Sequence, residues 1–74
     1  MTITGTLRET VWQEGPQSGQ YAITAPTATW NLEVPEQLML QMQTLVGSQM
    51  IATGTQISVR SYGGIFRVDG IEGV

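Results

Sequence analysis

The chain has 74 residues, three Arg against six carboxylates and a net charge of −3, a size that allows one domain, residues 1–74, with a thin core and roughly 4,500 Å² of exposed surface. It contains no Cys, His or Lys, which excludes disulfides, zinc-thiolate and iron–sulfur sites, a thiol nucleophile, an imidazole base, Schiff-base chemistry and a P-loop lysine. With 41% hydrophobic and only 12% charged residues it is too apolar and too weakly charged for a disordered chain, and no apolar run approaches the length of a membrane span.

Val, Ile and Thr dominate outside one stretch, a composition suited to a pleated, half-buried surface. Residues 2–13 alternate as a first strand, with Ile3, Leu7 and Val11 on one face and Thr4, Thr6, Arg8, Thr10 and Trp12 on the other. Gly5 inside it marks a bulge or the close approach of another backbone. Residues 14–19 read as a loop from their Gly, Pro and Ser content. A second strand, 20–25, puts Tyr21 and Ile23 on one face, and Pro26-Thr27-Ala28 makes a tight connection. A third strand, 29–34, aligns Trp30, Leu32 and Val34 opposite Asn31 and Glu33. The period then changes. Over 36–46, Leu38, Met42 and Leu45 recur at helical spacing with Met39 and Val46 alongside. Pro35 suits a first helical position, Glu36 the positive end of the dipole, and Gly47 a left-handed stop, although no side-chain N-cap is present. A fourth strand, 49–59, groups Met50 with Ala52 and opposes them with Ile51, Thr53, Thr55, Ile57 and Val59. Ser61-Tyr62-Gly63-Gly64 signals a turn. A last strand, 65–71, carries Phe66 and Val68 on one face, with a bulge at Gly70 returning Ile71 to the core side.

Three strands, one helix and two strands, in that order, resemble the OB fold, a five-stranded Greek-key barrel capped by a helix between its third and fourth strands. Gly47-Ser48-Gln49-Met50-Ile51-Ala52-Thr53-Gly54 is similar to the stretch in which such a chain leaves its helix for strand four, and Phe66-Arg67-Val68-Asp69-Gly70-Ile71-Glu72 to the closing strand. The expected class is therefore mainly β, an OB-like barrel with one α-helix over 36–46. The resemblance implies recognition of single-stranded nucleic acid, oligosaccharide or protein by strands two and three and by the loops at 14–19 and 60–64.

Stacking aromatics and Arg are the means by which such proteins hold single strands. Tyr21 and Trp30 share the parity of core residues. Trp12 has the opposite parity to Leu7 and Val11 and is expected to be at least partly exposed. The expected contact residues are thus Trp12, Arg60, Tyr62 and Arg8, with Arg67 next, and neighbouring first and fourth strands would bring Arg8 and Arg60 within reach. Arg60 and Tyr62 flank a turn, where a solvated end is the ordinary outcome. Asp69 with Glu72, or with Glu9, would be the pair for acid–base chemistry or a hard cation, but the acids are scattered and read as solvated. The Gly15 to Gly19 spacing lacks the Lys and the following helix that a phosphate loop needs. Met39, Met42 and Met50 fill gaps in a core, or offer an adaptable surface.

These features predict a non-catalytic binding or assembly module with no cofactor and no metal. Its partner is expected to be a protein or a second copy, since a thin core with lysine-free strand edges invites pairing into a homodimer. Single-stranded nucleic acid bound on an aromatic and Arg face is the alternative. The opening Met1-Thr2-Ile3-Thr4-Gly5-Thr6 has no basic region and no long apolar stretch, so a cytoplasmic protein is expected.

Overall fold

A computed structural model describes residues 1–61 and 63–74. Five strands, β1 (Thr2–Glu14), β2 (Gln17–Thr24), β3 (Thr29–Glu33), β4 (Gln49–Arg60) and β5 (Gly63–Gly73), carry most of the chain. A 3-10 turn, Glu36–Leu38, and a short helix, α1 (Met39–Leu45), lie between β3 and β4. The expected loop at 14–19 contracts to Gly15 and Pro16, with Glu14 paired to Gln17. Gly15 has φ +59, the positive value that a two-residue hairpin turn asks of its first central residue. The expected single helix over 36–46 begins instead as a 3-10 turn. Pro35 stays extended just outside it and no side chain caps its amides, so the first turn is not held in α geometry. Gly47 has φ +89, the left-handed stop its position implies.

The strands close into a ring in the order β1-β2-β3-β5-β4 and back to β1. All neighbours are antiparallel except β3 and β5, which run parallel. β1 serves both sides of the ring: residues 2–6 pair with β4, and residues 6–14 with β2. It turns this corner near Gly5, where a Cβ would lie 2.6 Å from the Ile23 Cγ2 and the Thr24 carbonyl oxygen. Inward side chains stack across the register as Leu7–Ile23–Trp30 and Tyr21–Leu32–Phe66, all of them buried. Trp30 meets Phe66 edge to face, with ring centroids 6.2 Å apart, a favoured aromatic geometry. Met42 plugs this core from the helix, with Leu38, Met39 and Leu45 packed beside it. Val46 falls outside the helix and is exposed. Met42 and Met50 are fully buried and Met39 half-buried, so these methionines are core. The total exposed surface is 4492 Å², as expected for this length. Among the described residues no helix is long and apolar enough to cross a membrane.

Bulges decide which residues face where. β1 gains one residue between Glu9 and Trp12, which inverts the alternation beyond it. Trp12, expected to be exposed, is therefore buried at 7%, and Val11, expected on the core row, is 84% exposed. On β5 the extra residue is Asp69, opposite the step from Thr53 to Gly54, one position before the expected bulge at Gly70. Ile71 still returns to the core side. A third bulge places Ile57 as the extra residue on β4.

Gly63 and Gly64, expected in a turn, open β5. Their φ values of +127 and +141 suit Gly, and Cβ atoms there would overlap the carbonyl oxygens of Thr29 and Ser58, respectively. Gly70, by contrast, has nothing within 4 Å of its Cβ position. Gly64→Ala should therefore lower stability by about 3 kcal/mol, while Gly70→Ala should change it by less than about 0.5 kcal/mol. Urea unfolding followed by circular dichroism compares the two. Equal losses would mean that close backbone approach is not the reason for the glycine at 64.

Candidate functional site

The two hairpin tips, β1–β2 and β4–β5, meet over the outer side of the sheet. Glu14 precedes the first turn and Arg60 ends β4. The Glu14 Oε1 forms an ion pair with the Arg60 Nη1, 2.5 Å away. The carboxylate is the sheltered member, with 17% of its side chain exposed against 60% for the guanidinium. On one side of this pair lies a cleft of about 620 Å³, lined by residues 13–17 of the first tip and by Ile57, Ser58, Arg60 and Ile65. On the other is a cavity of about 250 Å³, lined by Glu14, Thr29, Asn31, Arg60 and Gly64. Both are walled by Glu14 and Arg60, so the two hollows adjoin at the ion pair and together make up the groove. Ile65 shows how far the tip folds over the sheet. Its register, between Asn31 and Ser58, faces it away from the core, yet only 4% of it is exposed.

Of the expected contact residues, Arg60 lines this groove and the other described ones do not. Trp12 turns inward, and its Nε1–H donates to the Tyr21 carbonyl oxygen at 3.1 Å. Gly19 makes room for the indole: a Cβ there would lie 2.6 Å from Nε1. Arg67 pairs through Nε with the Glu33 Oε1 at 3.3 Å and lines a separate cavity with Pro35 and Gln37. Arg8 lies beside Val46 and Gly47 at the end of the helix, in another cavity again. Tyr62 lies outside the described residues. Arg8 and Arg60 do not come together although their strands are neighbours. The β1–β4 ladder joins residues 2–6 to 49–53, and Arg8 runs on past one end of it while Arg60 runs past the other.

Glu14 and Gln17 lie in an expected recognition loop and Asn31 on an expected recognition strand, though none was singled out as a contact residue; Gln13 and Ile65 lie outside the expected surface. Glu14 and Arg60 each border a turn signal, but nothing local says that the two tips converge. Chemically the groove offers amide groups that donate and accept, the hydroxyls of Thr29 and Ser58, one exposed guanidinium, and apolar contact from Pro16, Ile57 and Ile65. Among the described residues no three carboxylates cluster so as to hold a metal ion. A second, more apolar hollow lies between the first hairpin and the helix, where Val11 and Trp12 face Met39, and Leu40 on the helix is 76% exposed.

Trp12 is thus a structural residue whose indole satisfies a buried carbonyl. Trp12→Phe should cost about 1–3 kcal/mol, and Val11→Thr less than about 0.5 kcal/mol, in thermal unfolding. The reverse ranking would restore the outward parity for Trp12. Comparison with protein-family models, with curated proteins and with solved structures finds no match for this chain, so its function has to be read from the groove itself.

Proposed function

We propose that this chain is a non-catalytic binding or assembly module of OB-like fold whose partner is a polypeptide, held in the groove between the β1–β2 and β4–β5 hairpin tips. The ring order with its parallel β3–β5 pair, and the helix between β3 and β4, support the likeness. The OB fold binds its partners between these same loops. The observation that carries the reading is the lining of the groove. Gln13, Gln17 and Asn31 can pair with peptide groups in both directions, and Ile57, Ile65 and Pro16 supply apolar contact. Apart from the groove, Val11 lines a second hollow beside the helix and Leu40 is exposed on the helix.

Single-stranded nucleic acid is the weaker alternative. Arg60 and Arg67 are each engaged by a carboxylate, and Trp12 offers no exposed ring. Self-association by strand edges has less support than the composition suggested. Among the described residues, β1 beyond Leu7 and β4 beyond Gly54 have no partner on one side, but each of these stretches carries a bulge, a device that blunts edge pairing.

Photo-crosslinking residues placed singly at Gln17 and Ser58 should capture the same polypeptide from an extract of the source cell, and one placed at Arg8 should not. Retention of a labelled oligonucleotide at low salt, lost as salt rises, would favour the nucleic-acid alternative instead. Crosslinks between two copies, with a dimer mass in sedimentation at micromolar concentration, would make the partner a second copy.

A further inference from the structure

We infer that the groove takes a basic side chain of an extended polypeptide, and that this side chain replaces Arg60 on Glu14. The inference rests on the polypeptide reading above and names the chemistry of the partner.

The two members of the Glu14–Arg60 pair are not equivalent. Glu14 sits within the groove, mostly covered, on the hairpin residue that immediately precedes the Gly15–Pro16 turn. Its Oε2 is shielded from solvent and has no hydrogen-bond partner among the described residues, so the carboxylate keeps an unused acceptor. Arg60 is mostly exposed and reaches the carboxylate from the end of a long, flexible stem. Breaking the pair by withdrawing Arg60 leaves a guanidinium in water, where it is well solvated. Glu14 is the sheltered member, and a covered carboxylate without a cation is costly. Arg60 is therefore the member that leaves, and the group that can take its place must itself be cationic.

The geometry and the overall charge agree on this. Glu14 and Arg60 wall both compartments of the groove, so swinging Arg60 aside joins them into one continuous channel with Glu14 along its side. An extended segment laid in that channel could then meet Gln13 and Gln17 with its peptide groups and Glu14 with a Lys or Arg side chain. The chain carries six carboxylates against three Arg, and Arg67 is already engaged by Glu33. The field around the molecule attracts a basic partner and repels an acidic one. Arg60 thus acts as an internal stand-in for the partner's cation and keeps Glu14 paired until the partner arrives.

Three blocked hexapeptides serve as probes, in which valine alternates with lysine, with glutamine or with glutamate. Binding is read from the side-chain amide resonances of Gln13, Gln17 and Asn31 and from titration calorimetry. The lysine peptide should bind best, and added salt should weaken it. Glu14→Gln should weaken it about tenfold or more. Arg60→Gln should tighten it about threefold, because the internal competitor is gone. Arg67→Gln makes the same change in net charge away from the groove and should leave affinity within about twofold. Unchanged lysine-peptide affinity in Glu14→Gln, or weaker binding in Arg60→Gln, overturns the inference. If the glutamine peptide moves the groove resonances as strongly as the lysine peptide, the basic-partner inference falls and the polypeptide reading stands. If no peptide moves them at millimolar concentration, both fall.

Discussion

The parallel contact between β3 and β5 is the constraint on which the rest of the structure depends. Without it the chain is two separate antiparallel pieces, β1–β2–β3 and β4–β5, joined along residues 2–6 of β1. Closing the ring brings Trp30 beside Gly64 and Leu32 beside Phe66, and so assembles the aromatic centre of the core. The closure is possible because the backbones of β3, β4 and β5 approach very closely where β5 begins. Gly63 and Gly64 lie between the carbonyl groups of Thr29 and Ser58 with positive φ. A side chain at either position would hold the strands apart, and the helix would then have no closed core to plug with Met42.

The closed ring leaves the hairpin tips as the parts of the sheet free to take a shape of their own. Each hairpin carries bulges, and a bulge increases local twist and bends the strand that contains it. The bulge on β1 lies between the corner at Gly5 and the tip, and the Ile57 bulge on β4 lies just before Arg60. Bent in this way, the tips converge over the outer side of β3 and β5, cover Ile65 and join through Glu14 and Arg60. The same irregularities interrupt the two stretches of open edge. One structural device thus shapes the groove and discourages indiscriminate strand pairing.

The electrostatics of the molecule follow from its scarcity of cations. With three Arg and no Lys, a carboxylate across a strand or a tip captures a guanidinium wherever geometry allows, as Glu33 does for Arg67 and Glu14 does for Arg60. These pairs leave little free positive charge on a surface that is acidic on balance. With Arg60 on Glu14, the groove is nearly neutral, with amide and hydroxyl edges. Fold likeness alone does not decide what such a groove holds; the side chains that line it do.

Alternation of apolar and polar residues was enough to place the strands, because a half-buried sheet demands period two. It also put Tyr21, Trp30, Phe66 and Val68 on the core row and grouped Met50 with Ala52, a pair the structure buries, and the change to helical spacing after Pro35 located the plug. Gly5 was legible as a close backbone approach, whereas the loop read over 14–19 is a two-residue turn at Gly15 and Pro16, because Gln17, Ser18 and Gly19 are drawn into β2 by their pairing with β1. Only the tertiary structure decided the side on which Trp12 and Val11 lie, because one extra residue reverses parity and a bulge in a polar stretch leaves no mark in the pattern. Only it brought Glu14 to Arg60 and kept Arg8 away. These residues are far apart in the chain, and their distances depend on where the β1–β4 ladder stops and how sharply two hairpins bend, quantities set by long-range register that no short run of residues encodes.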